Sequence, residues 1–198
     1  MKRVRVIKLG GSLLTMPNLK QKFQKWCCEN PHPLTLIIVG GGPVVDAVRQ
    51  VHLANPLSEE FAHWVCMDLL QHTARIAHQV LGNVDLLETM ADLQQSFSDS
   101  NVNSTTPIVA VVQVAICFDR ENPNMGLPES WDVTSDSLAA AFSKMVAAEE
   151  LVVMKSCDAP NDGSDLESLA DFGFVDPLFA GLAEDIAQVR FVNLQKYE

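Results

Sequence analysis

Twice within its first fifty residues the chain runs a short apolar stretch into a glycine turn and then into a helical pattern. Val4-Arg5-Val6-Ile7-Lys8-Leu9 ends in Gly10-Gly11-Ser12, and Leu34-Thr35-Leu36-Ile37-Ile38-Val39 ends in Gly40-Gly41-Gly42-Pro43. Beyond the first turn Leu19, Phe23, Trp26 and Cys27 recur at helical spacing. Beyond the second Val44, Val45, Val48 and Val51 do the same, with Pro43 suited to a first helical turn. Strand, glycine turn and helix in immediate repetition build a parallel α/β sheet, because parallel strands need a crossover long enough to hold a helix.

The rest of the chain continues that pattern. Residues 58–81 read as one long helix, with Phe61, Val65, Leu69, Ile76 and Val80 on related faces. The polar stretch 96–106 reads as a loop, Ile108 to Phe118 as one or two buried strands, and Asp119 to Ser130 as a loop. Thr134 or Ser135 can cap a helix carrying Leu138, Ala141, Phe142, Met145 and Val146 as its apolar stripe. A buried strand at Leu151–Met154 ends on Lys155. An acidic loop at 159–165, a helix from about Asp176 to Gln188 and a strand at Val189–Leu194 complete the chain.

With 198 residues, 47% of them hydrophobic and 20% charged, the chain reads as one ordinary globular domain. A formal net charge of −11 repels nucleic acid phosphates, so no nucleic acid partner is expected, whereas a nucleotide needs only local cations. No stretch approaches the roughly 20 apolar residues of a membrane span. The short apolar run at the N-terminus is broken by Lys8, Gly10 and Gly11, which argues against a signal peptide. Five Cys without CxxC spacing read as reduced, mostly buried thiols of a cytoplasmic protein, and the five His form no zinc pattern.

Three places carry chemistry. Glycine turns at the carboxyl ends of parallel strands let a phosphate approach backbone N–H groups beside a helix N-terminus, and two such turns in succession favour function over mere turn geometry. Lys8 interrupts an apolar strand next to the first turn, where a cation could stabilise a moving phosphoryl group. In Trp131-Asp132-Val133-Thr134-Ser135-Asp136 the plain reading is a capped helix start. A functional one adds acids that orient a lysine or hold a Mg²⁺ shell. Lys155 at its strand end reads equally as a solvated residue or a ligand-facing one. Neither a GxxxxGK[ST] P-loop nor a GxGxxG dinucleotide fingerprint occurs.

Taken in order, KLGGSLL (8–14), IVGGGPVVDAV (38–48), DVTSDSLAA (132–140) and ELVVMKS (150–156) resemble the amino acid kinase family. The resemblance implies a three-layer αβα sandwich with a mainly parallel central sheet, MgATP as donor, a small-molecule acceptor and a homo-oligomer. It also implies an acceptor-side lobe of about 1–130 and a shortened nucleotide-side lobe of about 131–198. Carried over by motif, Gly10, Gly11 and Ser12 would hold the β and γ phosphates, Lys8 would stabilise the transferring group, and Asp136 would orient the catalytic lysine. Lys155 would face ATP, Gly40, Gly41 and Gly42 would sit by the acceptor and the γ-phosphate, and Thr134 would contact the acceptor. The family's second-half G-x-M-x-x-K segment has no counterpart after Lys155. A degenerate kinase fold that binds a nucleotide or an oxyanion without transfer is therefore the alternative. AHWVCMDLL (62–70), PESWDVTSDSLAA (128–140) and GFVDPLF (173–179) resemble the small archaeal-type branch. That branch includes the kinase acting on aminomethylfuran-methyl phosphate in methanofuran synthesis. That likeness makes Trp64, Asp68 and Asp132 acceptor-pocket candidates.

Overall fold

The computed structural model describes residues 3–100, 106–120, 126–160 and 165–197. Strands β1 (Val4–Leu9) and β2 (Leu34–Val39) are buried along their whole length, as suits a sheet covered on both faces. With β3 (Asp85–Leu87), β4 (Ile108–Val112), β5 (Glu150–Lys155) and β6 (Gln188–Asn193) they form one sheet in the order β3-β4-β2-β1-β5-β6, every neighbouring pair parallel. The connecting helices are α1 (Leu19–Glu29), α2 (Pro43–Ala54), α3 (Glu59–Leu81), α4 (Met90–Asp99), α5 (Ser135–Met145), α6 (Leu166–Asp171) and α7 (Phe179–Ala183).

Alternation along β1 divides the core in two. Val4 and Val6 join Leu138, Phe142 and Phe179 on one face, while Ile7 and Leu9 join Leu19, Phe23 and Trp26 on the other. The result is the three-layer αβα sandwich. Helix α3 serves both layers, with Trp64, Met67 and Leu70 in the first core and Ala74, Ala77 and Leu81 in the second.

Local differences from the sequence reading have physical causes. Of the stripe Phe61–Val80 on α3, Phe61, Ile76 and Val80 are exposed and Val65 and Leu69 half-buried, because the helix buries the neighbouring stripe through Ala62, Ala74 and Ala77. Helix α2 buries no residue at all, so Val44, Val45, Val48 and Val51 do not form a core face. Residues 96–99 belong to α4, whose start at Thr89 is fixed by a capping box with Asp92, and the expected loop's residues 101–105 lie outside the described residues. The loops at 119–130 and 159–165 fall partly outside them too, at 121–125 and 161–164. Ile108–Phe118 resolves into β4 and a short 3-10 turn. The single helix expected over 176–188 is only α7, since Asp176 is engaged elsewhere and Gln188 already begins β6. None of the five free cysteines is fully buried, and Cys28 and Cys157 are exposed.

β1 is the switch point of the sheet. From it the chain proceeds to β2 on one side and later returns to β5 on the other. In open parallel sheets ligands gather outside the carboxyl ends of strands at such a point. Lys8, Gly10, Gly40 and Lys155 all lie at the carboxyl ends of β1, β2 and β5.

Candidate active site

The pleat decides which side chains meet. Lys8 pairs in register with Val153, so Lys155 lies two residues further along β5 and points to the same face, the one covered by α5. From the first turn of α5, Asp136 reaches down between them. Its Oδ1 lies 2.7 Å from Lys8 Nζ and its Oδ2 3.0 Å from Lys155 Nζ. Burial alone would raise the pKa of Asp136. The attraction of Lys8 and then of Lys155 outweighs it and holds the carboxyl below the usual carboxylate range. Burial, and then the like charge of Lys8, push the Lys155 ammonium down from the usual lysine value, with Asp136 opposing. Two cations on one buried anion leave a local positive excess in a chain of formal net charge −11, an arrangement able to receive an oxyanion.

The first turn of α5 is held from outside the helix. Thr134 caps it, its hydroxyl accepting from the Asp136 N–H at 3.2 Å. That hydroxyl donates to Asp176 Oδ2 at 2.6 Å. Lys155 Nζ also donates to the Phe174 carbonyl and lies 4.8 Å from the centre of the Phe174 ring.

The glycine turns meet each other. A Cβ on Gly11 would stand 2.2 Å from the Gly42 nitrogen and 2.5 Å from the Gly40 oxygen, so the two βα turns approach backbone to backbone. Gly42 also holds φ +51°, outside the comfort of other residues. Gly10 N–H donates to Met154 O at 2.9 Å and Gly40 N–H to Leu9 O at 2.8 Å, which spends two of the donors expected for phosphate. The N–H groups of Gly11 and Ser12 open a 3-10 turn and have no carbonyl to bond within it. Ser12 Oγ stands 3.1 Å from Ser156 Oγ, tying this turn to the end of β5.

A cleft of about 150 Å³ lies beside the second glycine turn, between α2, α3 and α5. Gly41, Gly42 and Thr134 line it, with Asp46, Arg49, His63 and Trp131, while Gly40 does not. The Arg49 guanidinium lies 5.3 Å from the Trp131 ring centre, and Trp131 Nε1 is buried without a hydrogen-bond partner among the described residues. Burial pushes the His63 imidazole below its usual pKa. Trp64, Asp68 and Asp132 are not part of the lining. Trp64 packs into the core, while Asp68 and Asp132 are exposed, because the face of α3 that borders the cleft carries His63, Cys66, Met67 and Leu70. A second cleft, about 290 Å³, opens past Phe174 between Cys157, Asp158, Phe191 and Asn193.

Sequence reasoning missed Arg49, Trp131 and Asp176 as site residues. Arg49 follows the second glycine turn by two helical turns, and Trp131 lies within PESWDVTSDSLAA (128–140), where only the acids and the cap drew a functional reading. Asp176 lies within GFVDPLF (173–179), but nothing local shows its role, since Thr134 and Ser137, which it holds, are about forty residues away.

A model of the amino acid kinase family matches residues 3–159. The chain is 25% identical over 162 residues to the [5-(aminomethyl)furan-3-yl]methyl phosphate kinase of Methanocaldococcus jannaschii, covering 79% of this chain and 68% of that protein. Uridylate kinase from Archaeoglobus fulgidus superposes with a TM-score of 0.63 at 15% identity, over 97% of this chain and 90% of that one. UMP kinase from Ureaplasma parvum does so with a TM-score of 0.66 at 14% identity, over 100% and 92%. At these identities the two structures speak for the fold.

Proposed function

The chain belongs to the amino acid kinase family and is a phosphotransferase, and on that premise we propose that it moves the γ-phosphoryl group of ATP to a small acidic acceptor. The observation that carries this reading is the Lys8–Asp136–Lys155 cluster at the switch point of the sheet. Phosphoryl transfer asks a protein chiefly for position and for cations beside the oxygens over which charge spreads. Lys8 and Lys155 would flank the moving group, Lys155 taking the place of the absent second-half lysine, with Asp136 fixing their spacing. The N–H groups of Gly11 and Ser12 would hold the donor phosphates, and Gly10 and Gly40 would shape the turns. The nucleoside would enter the cleft past Phe174. Among the described residues no group of three or more His, Cys, Asp or Glu side chains is arranged to hold a metal ion. A divalent ion, taken as Mg²⁺, would arrive on the nucleotide phosphates and add charge neutralisation there.

The acceptor would lie in the cleft of Gly41, Gly42 and Thr134. We infer a ring-bearing phosphate monoester like that named for the methanogen relative, an aminomethylfuran-methyl phosphate-like C1-cofactor precursor. Arg49 suits its phosphate, the Trp131 face its ring and Asp46 an ammonium group. Both oxygens of Asp136 are claimed by lysines, so it is a poor general base, and an acceptor already ionised needs none. Self-association belongs to the same reading, supported by the outward apolar stripe of α3. No described helix is long and apolar enough to cross a membrane.

Phosphorus NMR of the protein with MgATP and a panel of phosphate monoesters, carboxylates and alcohols tests the reaction. The expected result is ADP with a new diphosphate resonance from a monoester, and none with Lys8→Met of unchanged circular dichroism. ATP that binds but yields no new P–O bond with any acceptor overturns the reading.

A further inference from the structure

The proposed transfer needs both ammonium groups to stay where Asp136 holds them, and Asp136 goes where the first turn of α5 goes. That turn is fixed by a second buried acid with no part in the transfer just described. Asp176 is only 6% exposed. Its Oδ2 accepts from the Thr134 N–H at 3.1 Å, the Thr134 hydroxyl at 2.6 Å and the Ser137 N–H at 3.0 Å. Its Oδ1 accepts from the Ser137 hydroxyl and from the Leu178 N–H at 3.2 Å. One carboxylate thus gathers the donors of a whole helical turn, where the helix dipole also favours its charge. The Thr134 hydroxyl passes the restraint on, accepting from the Asp136 N–H at 3.2 Å.

Two residues before Asp176, the Phe174 carbonyl accepts from Lys155 Nζ, and the Phe174 ring lies against the same ammonium. The segment 174–176 therefore touches both arms of the cluster, the helix that carries Asp136 and the lysine that Asp136 meets. Both contacting residues lie past residue 159, where the family match ends.

We propose that Asp176 is a positioning residue, latching the first turn of α5 through Thr134 and Ser137 so that Asp136 keeps Lys8 and Lys155 on either side of the moving phosphoryl group. The consequence for turnover rests on the kinase reading above. The latch itself is a property of the protein without substrate. A simple helix cap would alter stability alone. A positioning group alters rate, since displacement by about 1 Å from the productive geometry can cost roughly 100-fold.

The test is Asp176→Asn, which keeps the size but removes the charge and replaces one acceptor oxygen with a donor. Two quantities are read on the full chain: kcat against acceptor KM, and the titration of the Lys155 ¹³Cε resonance without substrate, assigned with Lys155→Met. In the folded variant kcat falls by about 10- to 100-fold with acceptor KM little changed, and the Lys155 titration moves from its wild-type position. Thr134→Val removes the hydroxyl relay while keeping the shape. Should Asp176→Asn not fold, the readouts of Thr134→Val are kcat and the Lys155 titration, since Thr134 also lines the acceptor cleft and acceptor KM is free to change there. If both fold, the double variant is no slower than the worse single one, as members of one relay behave. An unchanged kcat, a Lys155 titration that stays in place, or additive losses in the double variant overturns the latch. If the wild-type protein transfers no phosphoryl group, the lysine titration alone decides. A shift then keeps the latch while the kinase reading falls.

Discussion

Lys155 shows why single residues of this site were only half legible in the sequence. Its place at the end of an apolar strand suggested either a solvated residue or a ligand-facing one. The choice depends on β1 and β5 lying side by side and on α5 crossing above them, contacts between residues up to about 145 positions apart. Lys8 and Asp136 were legible because each ends or begins an element, but not that they would meet. The cluster has an energetic signature. Lys155 is charged against the cost of burial and the repulsion of Lys8, so replacing it with an apolar side chain of similar length removes a strain. Lys155→Met is expected to keep or raise the unfolding temperature while kcat falls by about 100-fold or more, the loss of one charge-stabilising group. Thermal unfolding beside turnover checks both. Asp136→Asn leaves two buried cations facing no anion and should destabilise by about 3–5 kcal/mol. The folded pKa of Asp136 lies below its unfolded value near 3.8. Its contribution is therefore complete above pH 3.8 and is lost as pH falls through the lower folded value. Denaturant unfolding of the two proteins should differ by a constant amount at higher pH, and the gap should close only below about pH 4. A gap that already closes near pH 6 would show that Asp136 is not held ionised by its lysines.

At the scale of elements the two βα units were read correctly because each is local: strand, turn and helix follow one another without reference to the rest of the chain. Of the elements that escaped, α4 has ten residues and a local capping box, while the others are short ones fixed by distant partners. β3 has three residues and exists by pairing with β4, and α6 and α7 are short turns between β5 and β6. The glycines were read as room for phosphate. The structure adds that Gly11, Gly40 and Gly42 are also required by the two turns' approach to each other. Gly11→Ala would place a methyl carbon 2.2 Å from the Gly42 nitrogen, and a backbone neighbour cannot rotate away. The variant should lose about 1–3 kcal/mol or more of stability, as overpacking does. It should also lose nucleotide affinity, because parting the turns moves the N–H groups of Gly11 and Ser12. Gly173→Ala serves as a control: nothing lies within 4 Å of its added carbon, though φ +67° makes the position strained. Thermal shifts with and without MgATP separate the two effects. A ligand at about 100 times its Kd should stabilise the native state by roughly 2.7 kcal/mol, and in Gly11→Ala that increment should shrink while Gly173→Ala retains it.

For the whole molecule, the helical periodicity of residues 58–81 was legible, whereas which of its apolar stripes is covered was not. Helix α3 carries two apolar stripes. The one through Ala62, Ala74 and Ala77 faces the protein, and of the other, Phe61, Ile76 and Val80 are exposed while Val65 and Leu69 are half-buried. Periodicity reports that a stripe exists; only packing against the remainder of the chain decides which stripe is covered. Phe61 at 53% and Ile76 at 44% exposure are large side chains to leave in water, and Val51 and Leu53 on neighbouring α2 are exposed as well. A face of this kind on an otherwise charged protein is suited to a second copy of the chain. The chain should therefore sediment as a dimer or larger assembly at micromolar concentration. Phe61→Lys with Ile76→Lys should shift it toward the monomer with its circular dichroism unchanged, since neither side chain belongs to the core. The clefts beside Gly42 and Phe174 are built within one chain, so the separated monomer should still bind MgATP. A wild-type chain that sediments as a monomer would refute self-association through α3, while the kinase reading would stand on its own measurement.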